Sequence, residues 1–424
     1  MKIGVDIRTL MDKNYSGVSW CTLFLLQEIL KQDRVNEYYL YYNSGRDISS
    51  QLPKFEQGNV KIIATRYPNK IFNYFLQKIC RWPKLDRIVP SIKRGGAAAA
   101  TGCVKFWSPH FNFTALSKNT KHILTVHDLS FLITPEFFSW RKNIWHQFLN
   151  VKKMMAEADI IVAISENTKR DIIRLTGIAE NKIKVIYDGI GAEFKPVVAQ
   201  YLARQFPEMQ DTSAQDIARL REVKEKYNLP EKFILYLGTI EPRKNISGLI
   251  SAFEKIANKP EMQDYQLVIV GAGGWKNSEV YRAVKNSIYK NRIKLIGYLE
   301  NSEKIYYYNL CSIFCYPSFY EGFGLPVLEA MACGAPVITS NLSSLPEVAG
   351  DAALLIDPAD ENSISRAIIT LVSDEKLREL YSSRGIERAK LFSWQKSAEK
   401  YLELFQPLSS RVPDEGSIHP EAIG

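Results

Sequence analysis

Residues 316–339 read YPSFYEGFGLPVLEAMACGAPVIT, and this stretch decides the predicted fold. An apolar strand runs into a turn that contains Gly322 and Gly324, and a helix that begins at Leu325 leads to a second strand. Glycine lets a backbone approach a ligand closely and adopt positive φ. Pro326 suits the first turn of a helix, where its missing N–H would have no partner anyway. The free amides and the positive end of the helix dipole then face the turn, so the stretch predicts an anion site.

Two carboxylates, Glu321 and Glu329, bracket the start of this helix. A carboxylate repels a bound anion, so this pair needs a neutral partner such as a sugar hydroxyl. A diphosphate on the helix and hydroxyls on the glutamates together describe a nucleotide sugar. The alternative is a buried corner between strand and helix whose glutamates face solvent.

The length and composition predict a soluble protein of two domains. A chain of 424 residues is long for one core, so two domains of about 200 residues are expected. No apolar run approaches the ~20 residues that span a bilayer. Asp6 and Arg8 lie where a signal peptide would be apolar, and the six cysteines form no C-x-x-C pair. These features predict a cytoplasmic protein with reduced cysteines.

The net charge of +9 is concentrated in the segment from Lys61 to Lys105, which has ten Lys or Arg residues against one acid, Asp86. An apolar pattern at helical spacing between Tyr67 and Val89 runs through the same segment. One interpretation is a solvated helix on its own sheet. The other is an interfacial helix that holds the protein on the anionic inner face of the cell membrane. Nucleic acid is a less favoured partner.

Strands and helices alternate along both halves of the chain, which predicts α/β domains with parallel sheets. The expected strands are 2–7, 37–43, 59–65, 104–110, 121–128, 159–165, 182–189, 233–239, 265–271, 293–299, 312–318 and the one that ends the opening stretch. The expected helices include 138–157, 167–176, 245–258, 278–289, 301–310 and 393–405.

A polar, helix-prone segment divides the alternation into two domains. The predicted divisions are 1–196 for the first domain, 197–228 for the connection, 229–390 for the second domain, 391–406 for a last helix and 407–424 for a flexible tail. The Gly/Ala tract at 95–102 is expected to be a flexible surface connection.

Candidate ligand-binding residues follow strands, because α/β folds place ligands at the carboxyl ends of their strands. Ser16 and Gly17 follow the first strand and begin a helix, which suits a phosphate-facing turn. His127 and Asp128 end a later strand; a lone histidine there is more often only a hydrogen-bonded residue. No G-x-G-x-x-G occurs at the first turn, which disfavours an NAD-dependent oxidoreductase.

A second cluster follows the first strand of the second half, in the segment GTIEPRKN at 238–245. Arg243 and Lys244 are adjacent cations before a helix, and such a pair suits a diphosphate. The alternative is an exposed basic turn.

The pattern of Glu321, seven residues and Glu329 resembles the E-x7-E signature of retaining glycosyltransferases of family 4. Further segments resemble motifs of that family and occur in its order: HDL at 127–129, IVAISENTKRDI at 161–172, GTIEPRKN at 238–245, VGAGGW at 270–275 and IGYL at 296–299. The resemblance covers residues 2–405. It implies the GT-B architecture, in which two Rossmann-like parallel-sheet domains face a central cleft and the last helix crosses back to the first domain.

The resemblance also implies a reaction: a sugar moves from a nucleotide diphosphate donor to an acceptor hydroxyl with retention of anomeric configuration. The implied catalytic residues are His127, Asp128, Arg243, Lys244 and Glu321. The implied donor-binding residues are Ser16, Gly17, Gly238, Arg243, Lys244, Gly271, Tyr298, Leu299, Gly322, Phe323, Gly324, Leu325 and Glu329. In this scheme Glu321 contacts the donor sugar, Glu329 the ribose, and His127 lies beside the sugar and acceptor.

No cofactor and no metal are expected. The sequence contains no D-x-D motif, and Arg243, Lys244 and the helix dipole would take a metal's place at the diphosphate. The pattern is similar to bacterial mannosyltransferases of cell-surface polysaccharide assembly, so GDP-mannose is the favoured donor, with UDP-glucose and UDP-GlcNAc open. The acceptor would be a glycan or a lipid-linked glycan. Two alternatives stay open: a sugar-nucleotide epimerase of the same fold, and a non-catalytic basic scaffold that binds membrane or nucleic acid.

Overall fold

The computed structural model describes residues 1–12, 15–67, 84–88, 104–197 and 214–406. Its strands are β1 (Lys2–Asp6), β2 (Glu37–Asn43), β3 (Val60–Thr65), β4 (Lys105–Ser108), β5 (Lys121–Val126), β6 (Ile160–Ala163), β7 (Ile183–Val185), β8 (Lys232–Leu237), β9 (Tyr265–Val270), β10 (Ile293–Ile296), β11 (Ile313–Tyr316), β12 (Val337–Ser340) and β13 (Leu354–Ile356). Every strand predicted from the sequence is present; β13 is an addition.

The strands form two sheets with the same winding. Their orders are β3-β2-β1-β4-β5-β6-β7 and β10-β9-β8-β11-β12-β13. The ladders are parallel, with Lys2 opposite Glu37 in one sheet and Lys232 opposite Tyr265 in the other. In each sheet the order reverses beside the first strand, and such a switch point opens a crevice at the carboxyl ends of the strands. The predicted α/β class with two Rossmann-like parallel sheets is confirmed.

Helices connect the parallel strands. They are α1 (Gly17–Gln32), α2 (Leu85–Ile88), α3 (Ser130–Ile133), α4 (Trp140–Leu149), α5 (Val151–Glu157), α6 (Glu166–Thr176), α7 (Ala214–Lys226), α8 (Ile246–Ile256), α9 (Ser278–Asn286), α10 (Lys304–Leu310), α11 (Leu325–Ala332), α12 (Leu345–Ala349), α13 (Glu361–Ser373), α14 (Glu375–Ala389) and α15 (Trp394–Phe405). None of the helices in the described ranges is long and apolar enough to cross a membrane.

The single helix predicted at 138–157 is wrong. Asn150 has φ of 50° and ends α4 in the left-handed region, which asparagine tolerates better than most residues. Its side-chain oxygen then accepts a hydrogen bond from the Lys153 amide at 3.4 Å and begins α5. A residue that ends one helix and caps the next does not interrupt the apolar pattern, so that pattern predicts one continuous helix.

Contacts between Cα atoms divide the chain into two compact units. The first takes its residues from 1–107, 114–121 and 395–424, and the second from 108–113 and 122–394. The domain bounds predicted from composition stay a prediction. Within the predicted connection, the described residues 214–226 form α7, whose Leu220 and Val223 belong to the core of the second unit.

Several predicted features lie outside the described residues. They are most of the amphipathic helix expected between Tyr67 and Val89, much of the basic segment from Lys61 to Lys105, the tract at 95–102 and the tail at 407–424.

In the first unit the last helix packs on the central strands. Tyr401 and Phe405 of α15 lie against Trp107, with ring centroids 5.0 and 6.3 Å away, and Phe405 also meets Tyr38 at 6.3 Å. The buried Lys105 ammonium donates to the carbonyl oxygen of Leu404 at 2.7 Å. A cation at the carboxyl end of a helix satisfies carbonyls that have no partner in the helix and opposes the negative end of its dipole.

Replacing Phe405 with Ala should lower the free energy of unfolding by about 3–5 kcal/mol, because the fully buried ring leaves a cavity beside Trp107. Urea unfolding followed by tryptophan fluorescence measures this change. Glu403→Ala, an exposed change on the same helix, is the control and should alter stability by no more than about 0.5 kcal/mol. Equal stabilities of the two variants would contradict the packing described for α15.

Candidate active site

Two cations, Arg243 and Lys244, follow the carboxyl end of strand β8, beside the switch point of the six-stranded sheet. The chain makes a short 3₁₀ turn over Pro242–Lys244, and Asn245 with φ of 55° then starts α8. The Arg243 guanidinium is fixed by Glu241, whose Oε1 accepts from Nη2 at 2.7 Å and from Nε at 3.1 Å. The turn is therefore a buried, ordered structure, and the alternative of an exposed basic turn is wrong.

Glu321 joins the two cations from the other side of the switch point, after β11. Its Oε2 accepts from Arg243 Nη1 at 3.0 Å, and its Oε1 accepts from Lys244 Nζ at 2.5 Å. The side chains of the three residues are only 12%, 10% and 8% exposed in the order Arg243, Lys244, Glu321. A carboxylate that two cations share in a buried place is a rigid centre around which other groups are positioned.

The charges of this cluster stabilise one another against burial. Burial opposes the anionic form of Glu321, but Arg243 and Lys244 outweigh it and lower its pKa from 4.5 to about 2. Burial likewise opposes the charge on Arg243, yet Glu321 and Glu241 hold its pKa well above the ordinary value. For Lys244 burial dominates and lowers the pKa. Glu321 is therefore an anion throughout the physiological pH range.

Each cation keeps hydrogen-bonding capacity for a ligand. Among the described residues, the partners of Arg243 are Glu241, Glu321 and the Tyr320 carbonyl oxygen, which take four of its five N–H groups. Lys244 donates to Glu321 and to the Tyr316 hydroxyl, two of its three N–H groups. One donor on each side chain is left, and each side chain is slightly exposed. Such a pair can bind an anion without breaking its own support.

The turn after Glu321 brings the backbone to the start of α11. Gly324 has φ of 114°, which most other residues cannot adopt without strain, and it is the residue before the helix. The Ser344 hydroxyl, itself fully buried, lies within 2.9 Å of the carbonyl oxygens of Glu321 and Phe323 and fixes the turn. Leu325 is the first helical residue and no side chain caps it. Pro326 has no N–H and the Val327 N–H donates to the Gly324 carbonyl oxygen at 2.9 Å, so this helix start offers an anion the Leu325 N–H and the positive end of the helix dipole.

The same turn contacts the strand end that carries His127 and Asp128. A Cβ on Gly322 would lie 1.9 Å from the His127 carbonyl oxygen, so no side chain fits at this position. The Ser165 hydroxyl, the cap of α6, donates to the Gly322 carbonyl oxygen at 2.7 Å. The second unit thus holds the His127–Asp128 strand end, the glycine turn and the cation cluster together.

The imidazole of His127 has a defined orientation. Its Nε2 lies 2.8 Å from the carbonyl oxygen of Pro109, which can only accept, so Nε2 carries the hydrogen. In the neutral ring Nδ1 is then the acceptor. The Asp128 carboxylate accepts from the amide and the hydroxyl of Ser130, at 3.1 and 2.8 Å, and begins α3. Asp128 therefore has a structural role just before this helix, and its predicted catalytic role stays a prediction.

Glu329 lies in the second turn of α11 and is buried. Its Oε2 accepts from the Tyr308 hydroxyl at 2.7 Å, and its Oε1 lies 3.6 Å from Lys304 Nζ. Its partners come from α10, whereas those of Glu321 come from the β8 turn. The two glutamates of the opening stretch thus belong to different polar networks, and the alternative in which both face solvent is wrong.

The remaining predicted donor residues line the ends of β8, β9 and β10. A Cβ on Gly271, which has φ of 154°, would lie 1.9 Å from the Gly238 carbonyl oxygen, so these two loops are in backbone contact. After β10, Leu299 is buried, whereas Tyr298 is 57% exposed. Gly238 and Gly271 have a packing role whatever they bind, and Tyr298 is accessible to a ligand.

Comparison with known proteins decides the family. Residues 219–388 match the family model described as glycosyl transferases group 1, and residues 56–194 match the model for Glycosyltransferase Family 4. The O-antigen chain mannosyltransferase B of Escherichia coli is 32% identical over 298 residues, which is 70% of this chain and 73% of that protein. The chain belongs to glycosyltransferase family 4. It is a hexosyltransferase.

Two further proteins resemble this glycosyltransferase. The serotype-specific mannosyltransferase WbdA of Escherichia coli is 34% identical over 300 residues, 70% of this chain but only 35% of that longer protein. The solved structure of a sucrose-phosphate synthase from Thermosynechococcus elongatus has a TM-score of 0.70 at 18% identity, and covers 95% of this chain and 98% of that one. At that identity the structural likeness shows the GT-B fold alone.

Ser16 and Gly17 of the glycosyltransferase lie in the first unit. The Ser16 side chain accepts from the Ser19 amide at 3.3 Å and caps α1, which begins at Gly17. Nothing lies within 4 Å of a Cβ placed on Gly17, so a residue with a side chain would fit at this position. Their predicted contact with a donor phosphate stays a prediction.

Sequence reasoning missed three residues that support the cation pair of the glycosyltransferase. Glu241 lies between the strand and the cations in the segment GTIEPRKN, and its carboxylate is 3% exposed. Tyr316, at the end of β11, places its hydroxyl on Lys244. The Ser343 hydroxyl accepts from the Glu321 amide at 3.0 Å. Only Glu241 was visible in the sequence, as an acid beside two cations; the other two approach through the fold.

Replacing Glu321 with Gln should reduce stability in a way that depends on pH. A pKa lowered from 4.5 to about 2 corresponds to about 3 kcal/mol of stability at neutral pH. Because the folded-state pKa is the lower one, this contribution is complete above pH 4.5 and is lost as the pH falls toward 2. The difference in free energy of unfolding between the wild type and Glu321→Gln, measured by urea unfolding, should become smaller as the pH falls from 4.5 toward 2.

Glu231→Gln is the matched control for this experiment, since that carboxylate is 84% exposed on the surface. The free energy of unfolding of this control should stay close to that of the wild type at each pH. If the difference for Glu321→Gln does not change between neutral and acid pH, the two cations do not stabilise the ionised carboxylate as described.

Proposed function

We propose that this glycosyltransferase transfers mannose from a nucleoside-diphosphate donor to a hydroxyl of a growing glycan, with retention of the anomeric configuration and without a divalent metal. The observation that carries the proposal is the buried cluster of Arg243, Lys244 and Glu321 beside the uncapped start of α11. Two relatives that are identical at about a third of the aligned residues are named mannosyltransferases, which supports mannose.

The cluster supports stabilisation of a diphosphate leaving group. Negative charge develops on the bridging phosphate oxygen as the bond to the sugar breaks, and fixed donors lower the energy of that state. Arg243 and Lys244 each retain one N–H donor, and the start of α11 at Leu325 adds the positive end of a helix dipole. Glu241, Glu321 and Tyr316 hold the cations in position before the donor arrives, so no reorganisation is needed.

The electrostatics of Glu321 support front-side attack. A general base works best with a pKa near the working pH. Glu321, with a pKa of about 2 and both oxygens engaged by cations, is a weak base and a poor nucleophile. We infer that a donor phosphate oxygen accepts the proton of the attacking hydroxyl, and that Glu321 holds the cations and contacts the sugar.

Two other residues receive donor and acceptor roles in this proposal. Glu329 has one oxygen that is only loosely held, 3.6 Å from Lys304, and this oxygen accepts the ribose hydroxyls. His127 donates through Nε2 to Pro109, so its Nδ1 lone pair accepts a hydroxyl of the sugar or acceptor. GDP-mannose is the proposed donor; UDP-glucose and UDP-GlcNAc are the alternatives that an assay separates.

The proposed acceptor is a glycan or a lipid-linked glycan of a cell-surface polysaccharide. The name of one relative, O-antigen chain mannosyltransferase B, supports this proposal. Cytoplasmic location, with contact to the anionic inner face of the membrane through Lys61–Lys105, stays a prediction, because much of that segment lies outside the described residues. No nucleic-acid partner is proposed.

The proposal is tested by incubating the purified enzyme with GDP-mannose, UDP-glucose or UDP-GlcNAc and a mannose oligosaccharide. Release of GDP and an added mannose in the α configuration of the donor are expected, with little turnover of the uridine donors. NMR of the product gives the configuration. Inverted product would contradict retention. Conversion of the donor sugar without an acceptor would identify an epimerase instead.

The Arg243→Gln/Lys244→Met double variant should lose at least about 10²–10³ in turnover, because the leaving diphosphate loses both positioned charges. Its affinity for the free nucleoside diphosphate, measured by calorimetry, should fall as well. Arg282→Gln/Lys285→Met is the matched control on the exposed face of α9 and should keep both. Lys244→Arg retains a charge, so partial activity is expected. Full turnover by a folded double variant would exclude the assignment.

Turnover in excess EDTA should stay within about twofold of the untreated rate, because the cations and the helix start supply the charge that a metal would otherwise supply. The assay compares the enzyme before and after dialysis against EDTA, with Mg²⁺ or Mn²⁺ added back. Activity that disappears with EDTA and returns with either ion would show that the leaving group needs a metal.

A further inference from the structure

Helix α4 has two faces with different partners. Its inward face packs on the second unit: Lys142 Nζ lies 3.3 Å from the centroid of the Trp275 ring, Asn143 donates to the Pro135 carbonyl oxygen at 2.9 Å, and the His146 ring lies 4.1 Å from that of Phe131. The segment just before α4 adjoins the active site, because the Phe137 ring stacks on Phe319 at 5.6 Å and the Phe319 amide donates to the Arg243 carbonyl oxygen at 2.9 Å.

The opposite face carries large apolar side chains that are partly exposed; Trp145 and Phe148 also pack edge-on against the buried Phe113, with ring centroids 5.7 and 5.9 Å away. Trp140, Ile144, Trp145 and Phe148 are 67%, 55%, 47% and 37% exposed. At 100° per residue they fall within an arc of about 140° on the helix surface, together with Arg141. Exposed single apolar residues are common, but four on one face of one ten-residue helix form a contiguous patch.

The charges around the patch are mainly positive, and the acid Glu157 lies 3.9 Å from Lys153. Arg141 lies on the same arc, with its guanidinium carbon 5.3 Å from the Trp140 ring centroid, and the exposed Lys152 and Lys153 follow at the start of α5. From Trp140 to Lys153 the sequence contains no acidic residue. Tryptophan and basic side chains beside an apolar face are the composition of helices that lie in a membrane interface.

We propose that this face of α4 docks on an anionic lipid bilayer, with Trp140 and Ile144 inserted among the headgroups and Arg141, Lys152 and Lys153 on the lipid phosphates. The charge complementarity is with a negatively charged surface, because Arg141, Lys152 and Lys153 flank the apolar patch. This inference goes beyond the proposed function and does not depend on the donor or acceptor. It also concerns a different segment from Lys61–Lys105.

Docking would place the active site next to the lipid surface. The inward face of α4 is one helix diameter from the outward face, about 10 Å. On that inner side His146 packs on Phe131, next to the Ser130 whose hydroxyl donates to the Asp128 carboxylate. An enzyme held in this way would act on acceptor groups near the membrane.

Co-sedimentation with vesicles tests the proposal. The full chain should sediment with vesicles of phosphatidylcholine mixed with phosphatidylglycerol at low salt, less at high salt, and weakly with phosphatidylcholine alone. Trp140→Ser/Ile144→Ser should weaken binding about tenfold or more. Arg141→Ala/Lys152→Ala should weaken it about fivefold per cation. Turnover of a soluble oligosaccharide acceptor should stay unchanged in both variants.

Matched controls lie on helix α9 and the loop after it. Ile288, which is 85% exposed, is replaced with Ser, and Arg282 and Lys285 with Ala; these variants should sediment as the wild type does. Brominated lipid adds a local measurement. It should quench the tryptophan fluorescence of the wild type, and Trp140→Phe/Trp145→Phe should still sediment but lose most of that quenching.

Three results would overturn the proposal. Unchanged vesicle binding by Trp140→Ser/Ile144→Ser would place any membrane contact elsewhere. Unchanged quenching in Trp140→Phe/Trp145→Phe would exclude insertion of α4. A dimer of the wild type in light scattering that the serine variant dissociates would show that a second copy covers this face. Wild-type protein that binds the vesicles but transfers no sugar from any of the three donors would instead count against the proposed function alone.

Discussion

The site depends on the ion pairs that the Glu321 carboxylate makes with Arg243 and Lys244. Burying one ionised carboxylate costs several kcal/mol unless partners compensate it, and burying a cation is as costly. Here two cations and the carboxylates of Glu241 and Glu321 share one place in the second unit, so their charges balance. None of these side chains can be removed without leaving a buried charge uncompensated, which makes the cluster rigid.

That cluster requires the topology of the sheet. Arg243 and Lys244 follow β8, and Glu321 follows β11, so the two strands must be neighbours for the salt bridges to form. They are neighbours because the strand order reverses beside β8. The turn after Glu321 then needs glycine, since a side chain at Gly322 would overlap the His127 backbone. One electrostatic centre thus constrains strand order, backbone conformation and the position of the His127 strand end.

The surface of the second unit is also constrained near this site. Helix α4 uses Lys142 and His146 to pack beside the site, and exposes Trp140 and Ile144 on its other face. A contiguous apolar face exposed on a helix is typical of a surface that contacts another molecule or a membrane. The position of this face beside the cation cluster is what connects the proposed chemistry with the proposed lipid-binding surface.

The sequence alone determined the element types, the parallel sheets and the importance of the segments around Arg243 and Glu321. These features depend on local chemistry: the spacing of apolar residues, glycines before a helix, cations at a strand end. The break at Asn150 and the caps of α13 and α14 by Asp360 and Asp374 are local signals that apolar periodicity does not contain.

Only the tertiary structure decided which charges meet. Arg243 and Glu321 are 78 positions apart, and nothing local to either one says that the acid binds the cations before any substrate does. The sequence likewise gave Trp140 and Ile144 as members of an aromatic helix, without saying which face is buried. Both facts depend on the neighbours that the sheet order brings together, because pairing energies between distant side chains leave no periodic trace along the chain.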